Sequence, residues 1–447
     1  MPVNEPSAAY KKASVQVKRV RDCSAGPDAV KAEGELYLPR LSEQTDTEYK
    51  TYKDFRGYLI PVVKPTVVAL SGAIMRKEPT PDLPTKLEPL LDDSDGNGKA
   101  LSLIASHACR ELFEAGRHGL LAEVTEDGPV IRAYNRESII NDTDEFIVLR
   151  QQYSTANPKD KFEPIIKTEY LELTLDENGQ YIQNIWREQT GKKGWGIFNT
   201  LEPDLAGKRI DKIPFQFINT VDASPKLTPP ALLQLADVNL DQYRLSTDLR
   251  HGLHWTALPT MFVFGEMLDA KGKPIGLSVG AGSVNHLQDT DSSAILLEFT
   301  GAGLGAITLA VTEDIQVMAS IAAKMFQNDV NGVRAAETAR IEQSGESATL
   351  TTIANAVKSG IENTLKTIAE WSGITGEISY KLNRDFMDSG LTPQQITSYL
   401  QLVQMESISQ LSFLDLLHKG EALPKGVTPE MEIKRIADQV DFNKDEG

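Results

Sequence analysis

Two long stretches of the chain carry an apolar stripe at helical spacing and lie close together in sequence. Residues 301–326 read GAGLGAITLAVTEDIQVMASIAAKMF, with Ile307, Val311, Ile315, Met318, Ala322 and Met325 at steps of three and four. That spacing makes one face of a single helix apolar. Glu313, Gln316, Ser320, Lys324 and Gln327 stand opposite. At 1.5 Å per residue the helix would be roughly 39 Å long. Residues 344–371 repeat the pattern with Leu350, Ile353, Val357, Ile361, Leu365 and Ile368, and the polar segment 327–343 joins the two. Such a hairpin suits the middle of many helical domains, so its flanks have to narrow the choice.

Upstream, residues 1–44 mix small, charged and proline residues and read as an extended arm with a short helix. Tyr49, Tyr52, Phe55, Tyr58 and Ile60 follow at mostly threefold spacing, a helix face to be buried, which Pro61 and Pro65 end or kink. Residues 78–89 include Pro79, Pro81 and Pro84 and read as a linker. A helix is expected over 101–115, then a short strand over 120–124. From 129 to 219 the period changes to two, with strands expected at 145–153, 164–175, 181–188 and 213–218 and a hairpin turn at Asn178-Gly179. Trp186, Trp195 and Phe198 are the expected packing of that antiparallel sheet. A long helix over 229–255 comes next, then short strands within 256–300 (among them MFVFG and AILLEFT), then the hairpin. The order helix, small strand insert, helix is uncommon. A strand at 378–382 and helices at about 393–405, 407–418 and 428–440 close the chain.

A chain of 447 residues is expected to divide into two to four parts. A formal net charge of -17 argues against a protein that grips nucleic acid through a basic face, though not against one that lets it pass. Cys23 and Cys109 are the only cysteines, which points to a reducing compartment. No run is expected to cross a membrane, the best apolar segment (58–70) being broken by Pro61, Lys64 and Pro65. The N-terminal lysines and arginines precede no apolar core, so no signal peptide is expected.

Chemical motifs begin and stop short. Residues 92–100 (DDSDGNGKA) resemble a calcium loop counted from Asp93, but position twelve is Ile104 where a bidentate glutamate is needed; a polar turn before the next helix is the expected form. Gly301, Gly303 and Ala306 satisfy G-x-G-x-x-[GA], but a helix occupies the window where the second strand and its acidic residue must lie. His251 and His254 stand one turn apart without a completing ligand set, and His107 and Cys109 point to different faces. Neither a nucleophile elbow nor a Walker loop is present. No cofactor or metal is expected.

The order of elements resembles the portal proteins of tailed bacteriophages, in a branch once known only as a domain of unknown function. The similar stretches are YLP (37–39), YKTYKDF (49–55), LSGAIMRKEP (70–79), DGNGKALS (95–102), GRHGLLAEV (116–124), ALLQLADVNLDQYRLSTDLRHGLHWTALPT (231–260), ESATLTTIANAVKSGIENTLKTIAEWSG (346–373), LNRDF (382–386) and ESISQLSFLDLLHKGEALPKG (406–426). The resemblance implies an α+β portal fold with wing, stem, clip and crown. The wing would be 45–226, the stem helices 228–255 and 301–326, the clip 256–300, the channel loop 327–343, the long helix and returning strand 344–389, and the crown 390–447.

It implies a homo-oligomeric ring, commonly of twelve subunits, at one capsid vertex of the virion, built in the host cytoplasm and without catalysis of its own. Its partners would be double-stranded DNA held without sequence preference, the large terminase subunit that spends ATP, a head–tail adaptor, and the major capsid and scaffold proteins, with no membrane. Lys324, Asn328, Asn331, Arg334 and Arg340 are then the candidates facing DNA, and Lys271, Lys273, His286 and Asp289 those facing motor or adaptor. Two alternatives stay open: another ring-forming tail or baseplate component, and a nucleotide-binding cytoplasmic enzyme built on Gly301, Gly303 and Ala306.

Overall fold

In the computed structural model, the described residues are all except 1, 158–159, 161, 190–193, 206, 258–259, 265–272, 274–292, 298–300, 327–347, 385, 387–392, 406, 420–421, 425–426 and 437–447. Two units are distinguished, Met1–Leu382 and Asn383–Gly447.

The first unit starts with α1 (Ala8–Ala25), capped by Ser7, whose hydroxyl accepts the Tyr10 N–H at 3.1 Å. Val17, Val20 and Cys23 turn inward. An extended arm with a short helix was the expectation for this region; an 18-residue helix stands there instead. Its arginines are matched by carboxylates far away in sequence: Arg19 by Asp237, and Arg21 by Glu111, Glu114 and Glu137. After α2 (Pro27–Ala32), a Thr45–Glu48 capping box starts α3 (Asp46–Thr51). A π-type turn over Tyr52–Arg56 ends it. Residues 57–62 then run irregularly to α4 (Val63–Ile74). Tyr49 and Tyr52 are therefore buried, whereas Phe55 is 73% exposed, because the expected single helix face stops at the turn.

The proline-rich linker contributes β1 (Thr80–Asp82), which pairs antiparallel with β12 (Ser379–Lys381). α5 (Pro89–Asp92) and a polar turn lead to α6 (Leu101–Ala115). The strands that follow are β2 (Arg117–Thr125), β3 (Gly128–Asn135), β4 (Ile139–Asp142), β5 (Phe146–Thr155), β6 (Ile165–Leu175), β7 (Tyr181–Glu188), β8 (Trp195–Leu201) and β9 (Phe215–Asn219). They form a three-stranded sheet, β3-β2-β9, and a five-stranded one, β4-β5-β6-β7-β8. Every pairing is antiparallel, so helices and strands segregate as α+β. The β6–β7 turn falls at Asn178-Gly179, where the Asp176 carboxylate accepts the N–H groups of Asn178 and Gln180.

One face of the larger sheet buries Ile147, Leu149, Leu171, Leu173 and Tyr181 with Leu121, Phe217 and Trp371. On the other, Trp186 and Trp195 pack on Ile140, Val148 and Tyr170, together with Val3 and Tyr10. Phe198, expected in the packing, is 63% exposed and lies under the Arg187 guanidinium at 4.0 Å.

The remaining elements are α7 (Leu233–Ala257), β10 (Thr260–Phe264), β11 (Ser293–Leu297), α8 (Leu304–Phe326) and α9 (Ala348–Ser372). In α9, all six stripe residues, Leu350 to Ile368, are at most 2% exposed, each contributing about 1.5–3 kcal/mol. Gly360 is required there: a Cβ would meet Ile218 Cδ1 of β9 at 2.3 Å. The second unit holds α10 (Pro393–Gln404) and α11 (Gln410–Lys419), with Leu414 and Val427 buried within it.

Candidate assembly surface on a long apolar helix

α7 and α8 pack against each other and flank an antiparallel strand pair in which Thr260 faces Leu297 and Phe264 faces Ser293. This is the helix–insert–helix order read from the sequence. The first half of α7 is deeply buried at Leu235, Ala236, Leu240 and Tyr243, but also at the polar Asn239 and Gln242. Those two amides hold the irregular segment after the π-type turn. Asn239 Nδ2 donates to Ile60 O at 3.0 Å, Gln242 Oε1 accepts Ile60 N–H at 3.1 Å, and Gln242 Nε2 donates to Tyr58 O at 3.2 Å. They supply partners for backbone groups that no strand or helix satisfies. An Asn and a Gln three apart on the apolar face of a helix were the available signal, and the sequence reading passed over it.

Further along α7, the Tyr52 hydroxyl donates to Asp248 at 2.5 Å, and burial followed by that carboxylate pushes the phenol upward. His251 Nε2 accepts Trp255 Nε1–H at 3.1 Å, and its ring stands edge-on to Tyr52 at 5.2 Å. Burial lowers the pKa of this imidazole, with Arg56 adding to the effect. Among the described residues no group of three or more metal-binding side chains assembles. The calcium-like stretch is a turn: Asp95 accepts the Asn97 and Lys99 N–H groups, and Asp93 accepts that of Gly98.

α8 differs from its expected form in a way that matters. Met318 is buried and Ile307, Val311 and Ala322 are half-buried, as the stripe requires, but Ile315 is 41% exposed. Asp314 is turned to the packed side instead. Its Oδ2 is buried without a partner among the described residues, and burial, followed by Asp241 and Glu313, raises its pKa. The reason is composition. α8 is apolar on most of its circumference, so the three-four spacing does not select one face.

The consequence is a bare apolar helix. Leu309 is 67%, Ile315 41% and Val317 44% exposed. Over Leu304–Lys324 the mean hydropathy reaches 1.3 with only 6% of the window buried, so by length and composition this helix is able to cross a membrane. The expectation that no run would reach that threshold is corrected here. The adjacent Glu313 and Asp314 at mid-helix speak against a lipid environment, where a central aspartate costs about 2.5–3.5 kcal/mol. A protein cover that leaves the carboxylates at a polar seam has no such cost.

At the start of α8, Gly301 has φ +61° and lies 3.1 Å from Thr256 and Leu304 side-chain atoms at its Cβ position, while Gly303 faces open space. These glycines turn the chain into the helix, beside an open groove of about 680 Å³ lined by Trp255, Thr256, Leu304 and Ile307. Of the residues expected to face DNA, Lys324 is exposed on the last turn of α8, where its charge suits the helix C-terminus. Asn328, Asn331, Arg334 and Arg340 lie outside the described residues. Of those expected to face motor or adaptor, Lys273 is exposed, and Lys271, His286 and Asp289 lie outside the described residues.

A family model described as a domain of unknown function (DUF4055) matches residues 231–372, the span from α7 into α9. No curated protein matches the chain. Among solved structures it is similar to a chain in the neck of an empty GTA particle computed with C6 symmetry, at 13% identity, covering 88% of this chain and 99% of that one, with a TM-score of 0.40. A chain in the virion of the native gene transfer agent (GTA) particle matches at 14% identity over 88% and 99%, with a TM-score of 0.39. One in the neck of the native GTA particle computed with C12 symmetry matches at 12% over 86% and 98%, also at 0.39.

Proposed function

We propose that the protein is a portal-type structural subunit that closes into a ring, with twelve copies the expected number, and passes double-stranded DNA through its centre at one vertex of a capsid. The observation that carries this reading is the bare apolar surface of α8. Leu309, Ile315 and Val317 belong to a long ordered helix that water does not stabilise, and in a ring each copy covers its neighbour's helix. The helix–strand pair–helix order and the resemblance along the sequence support the same reading.

In this reading α7 and α8 are the stem, the strand pair and its loops the clip that meets the terminase and later the head–tail adaptor, and 45–226 the wing. Residues 390–447 form the crown, and the ring is where capsid and scaffold proteins assemble. A channel has to contact DNA without gripping it, because every neutralised phosphate adds salt-sensitive affinity. A chain of net charge -17 with scattered cations suits that task. Lys324, Arg334 and Arg340, repeated around the ring, would meet the phosphates as narrow bands, with Asn328 and Asn331 between them.

Replacing Arg334 and Arg340 together by glutamine tests the conduit. The expected result is altered DNA packaging or retention in rings that still form. Loss of the rings would make these residues structural, and normal packaging would remove their role at the DNA.

A further inference from the structure

The pocket between α1, the turn at 136–138 and β5 holds two arginines that form no ion pair with a carboxylate among the described residues. It measures about 310 Å³, and Tyr10, Lys18, Arg21, Arg136, Glu137 and Arg150 line it together with Asp22. Most of the charges are matched internally. Lys18 pairs with Asp22 at 3.0 Å and Glu33 at 2.7 Å, and Glu137 is held by Arg21 at 2.8 Å. Glu111 and Glu114, which also bind Arg21, do not line the pocket.

Arg136 and Arg150 are different. Arg136 is 2% exposed, and its Nη1 donates to the carbonyl oxygens of Ala115 and, at 3.0 Å, Thr228. Among the described residues no carboxylate pairs with it. Arg150 Nη2 donates to the Glu137 carbonyl oxygen at 3.0 Å, again with no carboxylate among the described residues. Burial, with Arg117 close by and the Glu137 charge only partly opposing them, pushes the Arg136 guanidinium down to about 10. A buried cation is ordinarily paired, since an unpaired one costs several kcal/mol.

We propose that this pocket binds an oxyanion, with Arg136 at its floor and Arg150 at its rim, the anion supplying the ion-pair partner that neither arginine has among the described residues. Planar guanidinium groups favour two-point contact with carboxylate or phosphate oxygens. The Glu137 carboxylate is the opposing group in the pocket, and its pairing with Arg21 leaves the two other arginines to the ligand.

Calorimetric titration of the full chain with inorganic phosphate, against chloride at matched ionic strength, tests this. Saturable binding is expected, weakened at least tenfold in Arg150→Gln, an exposed position whose change leaves the circular dichroism of the fold intact. Arg136→Lys, which keeps the charge and loses the fork, is expected to weaken it as well. Superimposed phosphate and chloride titrations, or unaltered phosphate binding in Arg150→Gln, overturn the proposal. A free ion and a carboxylate on a second copy share this chemistry. Phosphate that binds without changing the assembly state assigns the free ion, whereas phosphate that lowers the assembled fraction, an effect lost in Arg150→Gln, assigns the second copy.

Discussion

Leu309→Asp places a charge where the ring reading requires an apolar contact. The leucine is 67% exposed in the single chain, and a fully buried leucine contributes about 1.5–3 kcal/mol, so covering it is worth about 1–2 kcal/mol. An aspartate trapped in the same contact adds a desolvation penalty of several kcal/mol. At about 1.4 kcal/mol per decade, each subunit contact should weaken by at least about a hundredfold. The isolated subunit should barely notice, because the position faces solvent and the helix-propensity cost is only about 0.5 kcal/mol. Sedimentation velocity at matched concentrations should therefore show assemblies for the parent and monomers for Leu309→Asp, with equal thermal midpoints for the monomeric forms. Parent-sized assemblies in Leu309→Asp would refute the assignment of this face.

Three other outcomes follow from single residues. His118 is fully buried with neither ring nitrogen hydrogen-bonded among the described residues, and burial lowers it from 6.5 to about 3; the unfolded chain takes the proton first. Stability present above pH 6.5 should then fall as pH drops towards 3, with this group contributing a slope of up to about 1.4 kcal/mol per pH unit, and His118→Phe should flatten that slope in denaturant titrations. Asp314, held above its usual carboxylate range, destabilises the fold once charged. Asp314→Asn should thus raise the thermal midpoint at pH 7, with the advantage shrinking as the pH falls through the folded-state pKa towards 3.8. Gly360→Ala would gain about 1 kcal/mol in an open helix, but beside Ile218 it should cost about 1–3 kcal/mol, read as a lower urea midpoint with unchanged slope.

What could be read from the sequence depended on how strongly one face was selected. The α9 stripe was legible because Leu350 to Ile368 alternate with polar residues, and all six are buried. β5 to β7 were legible through their period and the Asn178-Gly179 turn. β3 and β8 were missed: β3 contains Pro129 and ends at Asn135, and β8 is an edge strand without a buried residue. α1 was missed because its stripe is short and the carboxylates that neutralise it come from α6, α7 and the turn at 136–138. α8 was recognised as a helix, but its packed face was misjudged at Ile315 and Asp314, since an all-round apolar helix carries little directional information. The amides Asn239 and Gln242 show the complementary limit, for their partners are backbone groups at Tyr58 and Ile60.

In the proposed ring, copies of this chain cover one another's α8. Electron micrographs of the purified, DNA-free protein test it most directly. Rings of uniform diameter around a central hole that admits a DNA duplex are expected. A population of monomers at every concentration examined, with α8 left in water, would contradict it.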